Sequence, residues 1–204
     1  MQPNWIRVPI LLALAWILYG YVNDPTHASI FAGVNLVFHE MGHAAFMWFG
    51  NRMLTTAGGT IFEVGIPVSA GAYLLVKQRD SFGAAVCLFW MGTALFSAGV
   101  YAADARAQAL PLVSPFGPVD VDGHDWTVML LRLGRLSQDQ QFGSALRSMG
   151  VLAMAGGVGI GARITWGRAG RRREGAPRAA LDREDQRFAD FLQRTDGVED
   201  RTTE

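Results

Sequence analysis

Five apolar stretches of 18 to 23 residues, 5–22, 28–50, 57–76, 82–103 and 146–166, fill most of the first 166 positions of this chain. A helix needs roughly 20 apolar residues to cross about 30 Å of hydrocarbon. Buried helices of soluble domains seldom come in sets of five at that length, so the pattern predicts an all-α polytopic membrane helix bundle of about five spans. Interruptions are few: Arg7 in the first stretch, Glu63 and Pro67 in the third, Arg147 and Arg163 near the ends of the last. Thr26-His27-Ala28 would suit signal-peptide cleavage, but the first apolar run outlasts the usual core of roughly 7–15 residues and is read as a retained span.

Charge divides the chain a second way. Residues 168–204 hold nine of the 18 Lys+Arg and nine of the 18 Asp+Glu. A transmembrane domain is therefore expected over 1–166, and a charged, partly disordered cytosolic tail over 167–204. The formal net charge is zero, which leaves no electrostatic case for a nucleic-acid partner. Cys87 is the single cysteine, so metal chemistry must use histidines and carboxylates. In a five-span arrangement Lys77, Arg79 and the cluster Arg168, Arg171, Arg172, Arg173 share one side. Arg7, Arg52, Arg106, Arg132, Arg135 and Arg147 share the other. The dense cluster favours a cytoplasmic C-terminus.

Between Asp104 and Gly143 the chain is neither a span nor a simple loop. Pro111, Pro115, Gly117 and Pro118 exclude a continuous helix. After them 126–136 is apolar at helical spacing, which predicts a short interfacial or re-entrant helix capped by Asp125.

His39-Glu40-Met41-Gly42-His43 is an H-E-x-x-H sequence inside the second apolar stretch. The i, i+4 spacing puts both imidazoles on one helical face, where two nitrogens can reach one zinc ion at about 2.0–2.1 Å. Glu40, about 100° further round, can take a proton from water beside the metal. With 4 His in 204 residues, the pattern is expected by chance about 0.002 times per chain of this composition, so accident explains it poorly. His39 falls roughly 16 Å into its helix, near mid-membrane, where ionisable groups are costly and are functional by default. Asn35, His39 and His43 make one polar stripe, and Asn35 is expected to line a water path to Glu40 together with the 104–125 segment.

A zinc hydrolase needs a third protein ligand, with the fourth position left to water. His27 lies in a short hydrophilic loop, which leaves His124 as the third imidazole, within the run Asp120-Val121-Asp122-Gly123-His124-Asp125. The carboxylates of that run could serve as ligand or as the acceptor that orients an imidazole. Asp104 and Arg106 are read first as an ion pair ending a helix, and Glu63 with its neighbouring glycines and Pro67 as a kink carrying a hydrogen-bonded carboxyl.

An H-E-x-x-H in an early transmembrane helix, with an Asp-Gly ahead of a later apolar helix, resembles the site-2 protease family of intramembrane zinc metalloproteases. The resemblance implies His39 and His43 as zinc ligands, Glu40 as the base and Asp122 of Val121-Asp122-Gly123 as third ligand. The Asn-Pro lead-in of that family is missing, and 204 residues hold no accessory domain. The run from Tyr101 through Asp104 and Arg106, with the later His124-Asp125-Trp126, is also similar to a small group of uncharacterised bacterial membrane proteins, which would favour His124 or Asp125. The order of preference is His124, then Asp122, then Asp125. The expected function is an intramembrane zinc metallopeptidase in a bacterial inner (plasma) membrane, cleaving a membrane-embedded or juxtamembrane peptide. A zinc hydrolase of lipid amides or esters and a non-catalytic metal holder are the alternatives. Four histidines cannot furnish the ligand set of a many-histidine membrane iron oxygenase.

Overall fold

The computed structural model describes residues 4–110, 124–167 and 186, and among them every regular element is helical. These are α1 (Arg7–Asn23), α2 (Ile30–Phe46), α3 (Arg52–Val76), α4 (Ser81–Ala103) and α5 (Asp125–Arg132). The last helix, α6 (Leu136–Gly167), opens with a 3-10 turn over Leu136–Gln138. Three of them, α3, α4 and α6, are long and apolar enough to cross a membrane, and α1 is a shorter apolar helix of 17 residues. The chain divides into two compact units, Met1–Ala162 and Arg163–Glu204. In the second, the described residues are the end of α6 and Gln186. Asp122, the proline segment and all of the charged tail except Gln186 lie outside the described residues.

Local chemistry sets the helix ends. Ser29 Oγ accepts the Phe31 amide at the start of α2, and Asn51 Oδ1 accepts those of Met53 and Leu54 at the start of α3. Gly50, at φ 62°, makes the left-handed turn between them. The hydrogen-bonded carboxyl expected at Glu63 is present, and α3 continues as one helix through the buried Pro67. Proline withdraws a single amide, and in a packed helix that one lost bond does not break the rod.

Small residues let α4 and α6 touch along their lengths. A Cβ on Gly92 would lie 2.7 Å from the Gly150 carbonyl oxygen, one on Gly99 would meet the Gly143 carbonyl at 2.8 Å, and one on Gly157 would meet the Ala85 carbonyl at 2.7 Å. Seven-residue spacing keeps these contacts on one seam. α2 packs chiefly on α3, and α3 on α4.

Helix directions depart from an alternating bundle. Arg7 lies over the Phe82 ring at 4.9 Å, and Tyr21 meets Phe96 at 5.0 Å, so α1 runs parallel to α4. α2 does the same, since Phe31 meets Phe89 at 5.8 Å and His39 meets Tyr101 at 6.2 Å. The 24–29 connection doubles back, tied by a 2.9 Å bond between the Tyr21 and Ser29 hydroxyls. Arg7 consequently belongs to the end of the bundle that carries Lys77 and Arg79, not to the group of Arg52 and Arg106. Leu12, Trp16, Tyr19, Val22 and Leu152 are all exposed, a surface suited to lipid.

Candidate metal centre

The H-E-x-x-H turn of α2 faces α3 at the only kind of position that can approach it so closely. A Cβ on Gly42 would lie 2.1 Å from the Gly58 carbonyl oxygen, so the two helices meet backbone to backbone there. One residue on, Gly59 lies under both imidazoles: a Cβ at that position would sit 2.6 Å from His39 Nε2 and 2.7 Å from His43 Nε2.

Each ring is fixed through its other nitrogen. His43 Nδ1 is 2.9 Å from the Thr55 carbonyl oxygen, which can only accept, so Nδ1 carries the hydrogen and Nε2 presents its lone pair when the ring is neutral. His39 Nδ1 is 3.2 Å from Glu63 Oε2, a side chain only 4% exposed. Both Nε2 atoms then converge on one oxygen, Asp125 Oδ2, at 2.9 Å from His39 and 3.1 Å from His43. Donor atoms of the three residues lie within 4.8 Å of one another. Tetrahedral ligands at 2.0–2.1 Å from zinc stand about 3.3 Å apart, so the Asp125 oxygen, at 2.9 and 3.1 Å from the two nitrogens, is within a few tenths of an ångström of ligand spacing. Two lone pairs facing a carboxylate repel unless a proton or a metal cation lies between them, and the donor set of two imidazoles and one carboxylate is one that could hold zinc.

Asp125 reaches the histidines because it is not the helix cap. His124 is: its Nδ1 accepts the Thr127 amide at 3.3 Å, which leaves Asp125 as the first helical residue with its side chain free. Burial opposes ionisation of Asp125, but the bonds with His39 and His43 outweigh it and hold its carboxyl below the usual aspartate range. Its amide donates to the Tyr101 hydroxyl at 3.3 Å. The Thr127 hydroxyl donates to the Ala105 carbonyl and accepts from Gln108, pinning α5 against the end of α4.

His124, ranked first from sequence, points away from the pair of motif histidines. Its ring packs on Tyr101 at 4.2 Å with the planes tilted by 35°, and its buried Nε2 stands 3.6 Å from Asp104 Oδ2, beyond hydrogen-bond length. Burial keeps its pKa below the ordinary histidine value. Asp104 is engaged by the amides of Ala109 and Leu110, and Arg106 pairs with Asp139 at 2.8 Å, so the expected Asp104–Arg106 ion pair is replaced by these contacts. Glu40 is half-buried and receives no hydrogen bond from the described residues. Asn35 does not line a water path. It is 1% exposed, accepts the Trp90 indole N–H at 2.8 Å and donates to Thr93 at 3.3 Å.

Thr55, Gly59 and Tyr101 were not anticipated as parts of the site. A signal for one of them existed: Gly59 and Glu63 are four apart, hence on one face of α3. No family model, curated protein or solved structure matches the chain.

Proposed function

We propose that this chain is an intramembrane zinc metallopeptidase, with His39, His43 and Asp125 as metal ligands and Glu40 as general base. One observation carries the reading. Two Nε2 atoms, each anchored at its own Nδ1, converge on one carboxylate oxygen over the space left by Gly59. When bound, zinc would supply a Lewis acid that brings the pKa of a water towards about 7. Glu40 takes one proton from the water whose oxygen attacks the scissile carbonyl carbon, and delivers it to the amine nitrogen as the C–N bond breaks. Glu63 and the Thr55 carbonyl hold the rings, and Tyr101 holds the main chain of Asp125. The likeness to site-2 proteases supports the same chemistry, with Asp125 as third ligand in place of Asp122.

The parallel course of α1 and α2 favours four crossings, made by α1 with α2 together, then α3, α4 and α6. In that arrangement Arg7, Lys77 and Arg79 lie at one end of the bundle and Arg52 and Arg106 at the other. We infer that the end carrying Arg7 is cytoplasmic, in a bacterial inner membrane, and that the metal site faces the opposite side.

Cells producing the wild-type chain or Glu40→Gln, compared by peptide-product mapping and by lipid profiling, test the activity. Peptides cut within or beside membrane segments should appear only with the wild type. Glu40-dependent changes confined to lipid amides or esters would replace the peptidase with a lipid hydrolase, and no Glu40-dependent change in either would leave a metal holder.

A further inference from the structure

An open cavity of about 560 Å³ lies between the end of α1, with Tyr21, Val22 and Pro25, and α6, with Phe96 of α4 at its wall, and its two ends differ in character. At one end are Arg147 and Ser148, with Ser144 a turn before them. At the other are Val151, Leu152 and Phe96. A Cβ on Gly99 would lie 2.8 Å from the Arg147 amide nitrogen, so Arg147 is level with Gly99, about 6 Å short of the end of α4 at Ala103. For a helix that spans the bilayer, that puts the main chain of Arg147 a few ångströms inside the hydrocarbon, within reach of the headgroups for a long side chain.

Arg147 has no ion-pair or hydrogen-bond partner among the described residues, in contrast to Arg106, which has Asp139. The Ser148 hydroxyl is likewise unpartnered, while that of Ser144 donates to the Gln140 carbonyl. An unpaired guanidinium at this depth is costly unless an anion or water meets it. The apolar wall one turn deeper, where Leu152 is 72% exposed, fits a chain attached to that anion. A soluble organophosphate would answer the charge and leave this wall bare.

We propose that this cavity is a binding site for an anionic phospholipid, its phosphate on Arg147 and Ser148 and an acyl chain along Val151, Leu152 and Phe96. Basic pockets between transmembrane helices recognise headgroups in this way. The site requires only that α4 and α6 cross the membrane, and does not depend on the metallopeptidase reading.

Native mass spectrometry of the full chain in neutral detergent, with equal phosphatidylglycerol and phosphatidylcholine, tests it. Wild type should retain phosphatidylglycerol about fivefold more than phosphatidylcholine. Arg147→Gln should abolish the preference, and Arg147→Lys should keep most of it, which separates a lost charge from a damaged fold. Leu152→Trp should lower retention of both lipids by filling the apolar end. Equal retention of the two lipids by wild type, or an unchanged preference in Arg147→Gln, would overturn the proposal. Displacement of the lipid by an equal concentration of glycerol phosphate would also overturn it, since the acyl chain would then contribute nothing.

Discussion

Gly59 carries no functional atom, yet the proposed metal centre depends on what it lacks. A methyl group there would stand 2.6–2.7 Å from both Nε2 atoms, and neither ring can swing away without giving up its bond to Glu63 or Thr55. Gly59→Ala should weaken metal binding by at least about tenfold in a chelator competition, whereas Gly33→Ala, with nothing within 4 Å, should bind as wild type. Identical affinities for the two variants would remove Gly59 from the account. Glu63→Gln should lower affinity by about 10–100-fold, the usual effect of losing the acceptor behind a ligating histidine. An unchanged affinity would mean that Glu63 does not orient His39. At this scale the sequence made His39, Glu40 and His43 readable because the i, i+4 relation is local. That Asp125 and not His124 would meet the two histidines was not readable, because it turned on which of two adjacent residues caps α5. Aspartate is the stronger cap by preference, but here two imidazoles compete for Asp125 and histidine takes the cap.

Among the elements, the pair α4 and α6 holds the bundle to the dimensions that the site needs, because the end of α4 supplies Tyr101. Gly150→Ala would drive a methyl to 2.7 Å from the Gly92 carbonyl, with the Phe96 amide at 2.8 Å. Backbone cannot yield as a flexible side chain does, so a loss of about 1–3 kcal/mol is expected in reversible unfolding. Gly159→Ala, on the same helix with nothing within 4 Å, should be neutral or slightly stabilising. Equal effects would show that the seam is not close-packed. Apolar run length located α3 and α4 to within a few residues, because hydropathy reports burial in lipid directly. It placed the start of α6 ten residues late, at 146 instead of Leu136, because the first turns of that helix are polar and are held by contacts such as Gln140 Nε2 with the Ala103 carbonyl.

For the whole molecule the decisive feature is direction, which hydropathy does not encode. Five alternating spans would put the start of α1 at the end of the bundle that carries Arg52 and Arg106; α1 parallel to α4 puts it at the end that carries Lys77 and Arg79. In the Cys87→Ser background, cysteines at Trp5 and Arg79 should react with an impermeant thiol reagent from one side of sealed vesicles, and a cysteine at Arg135 from the other. Joint labelling of Trp5 and Arg135 positions would restore the alternating arrangement and move Arg7 back to the far side. What four helices and a separation of 86 positions between His39 and Asp125 bring together is a cluster that could hold a metal, and its metal content is the measurement closest to the central claim. Purified in mild detergent, wild type and Glu40→Gln should each hold about one zinc per chain, with His39→Ala, His43→Ala and Asp125→Ala holding almost none. Absence of zinc, cobalt and manganese from every preparation, or full occupancy in Asp125→Ala, would contradict it.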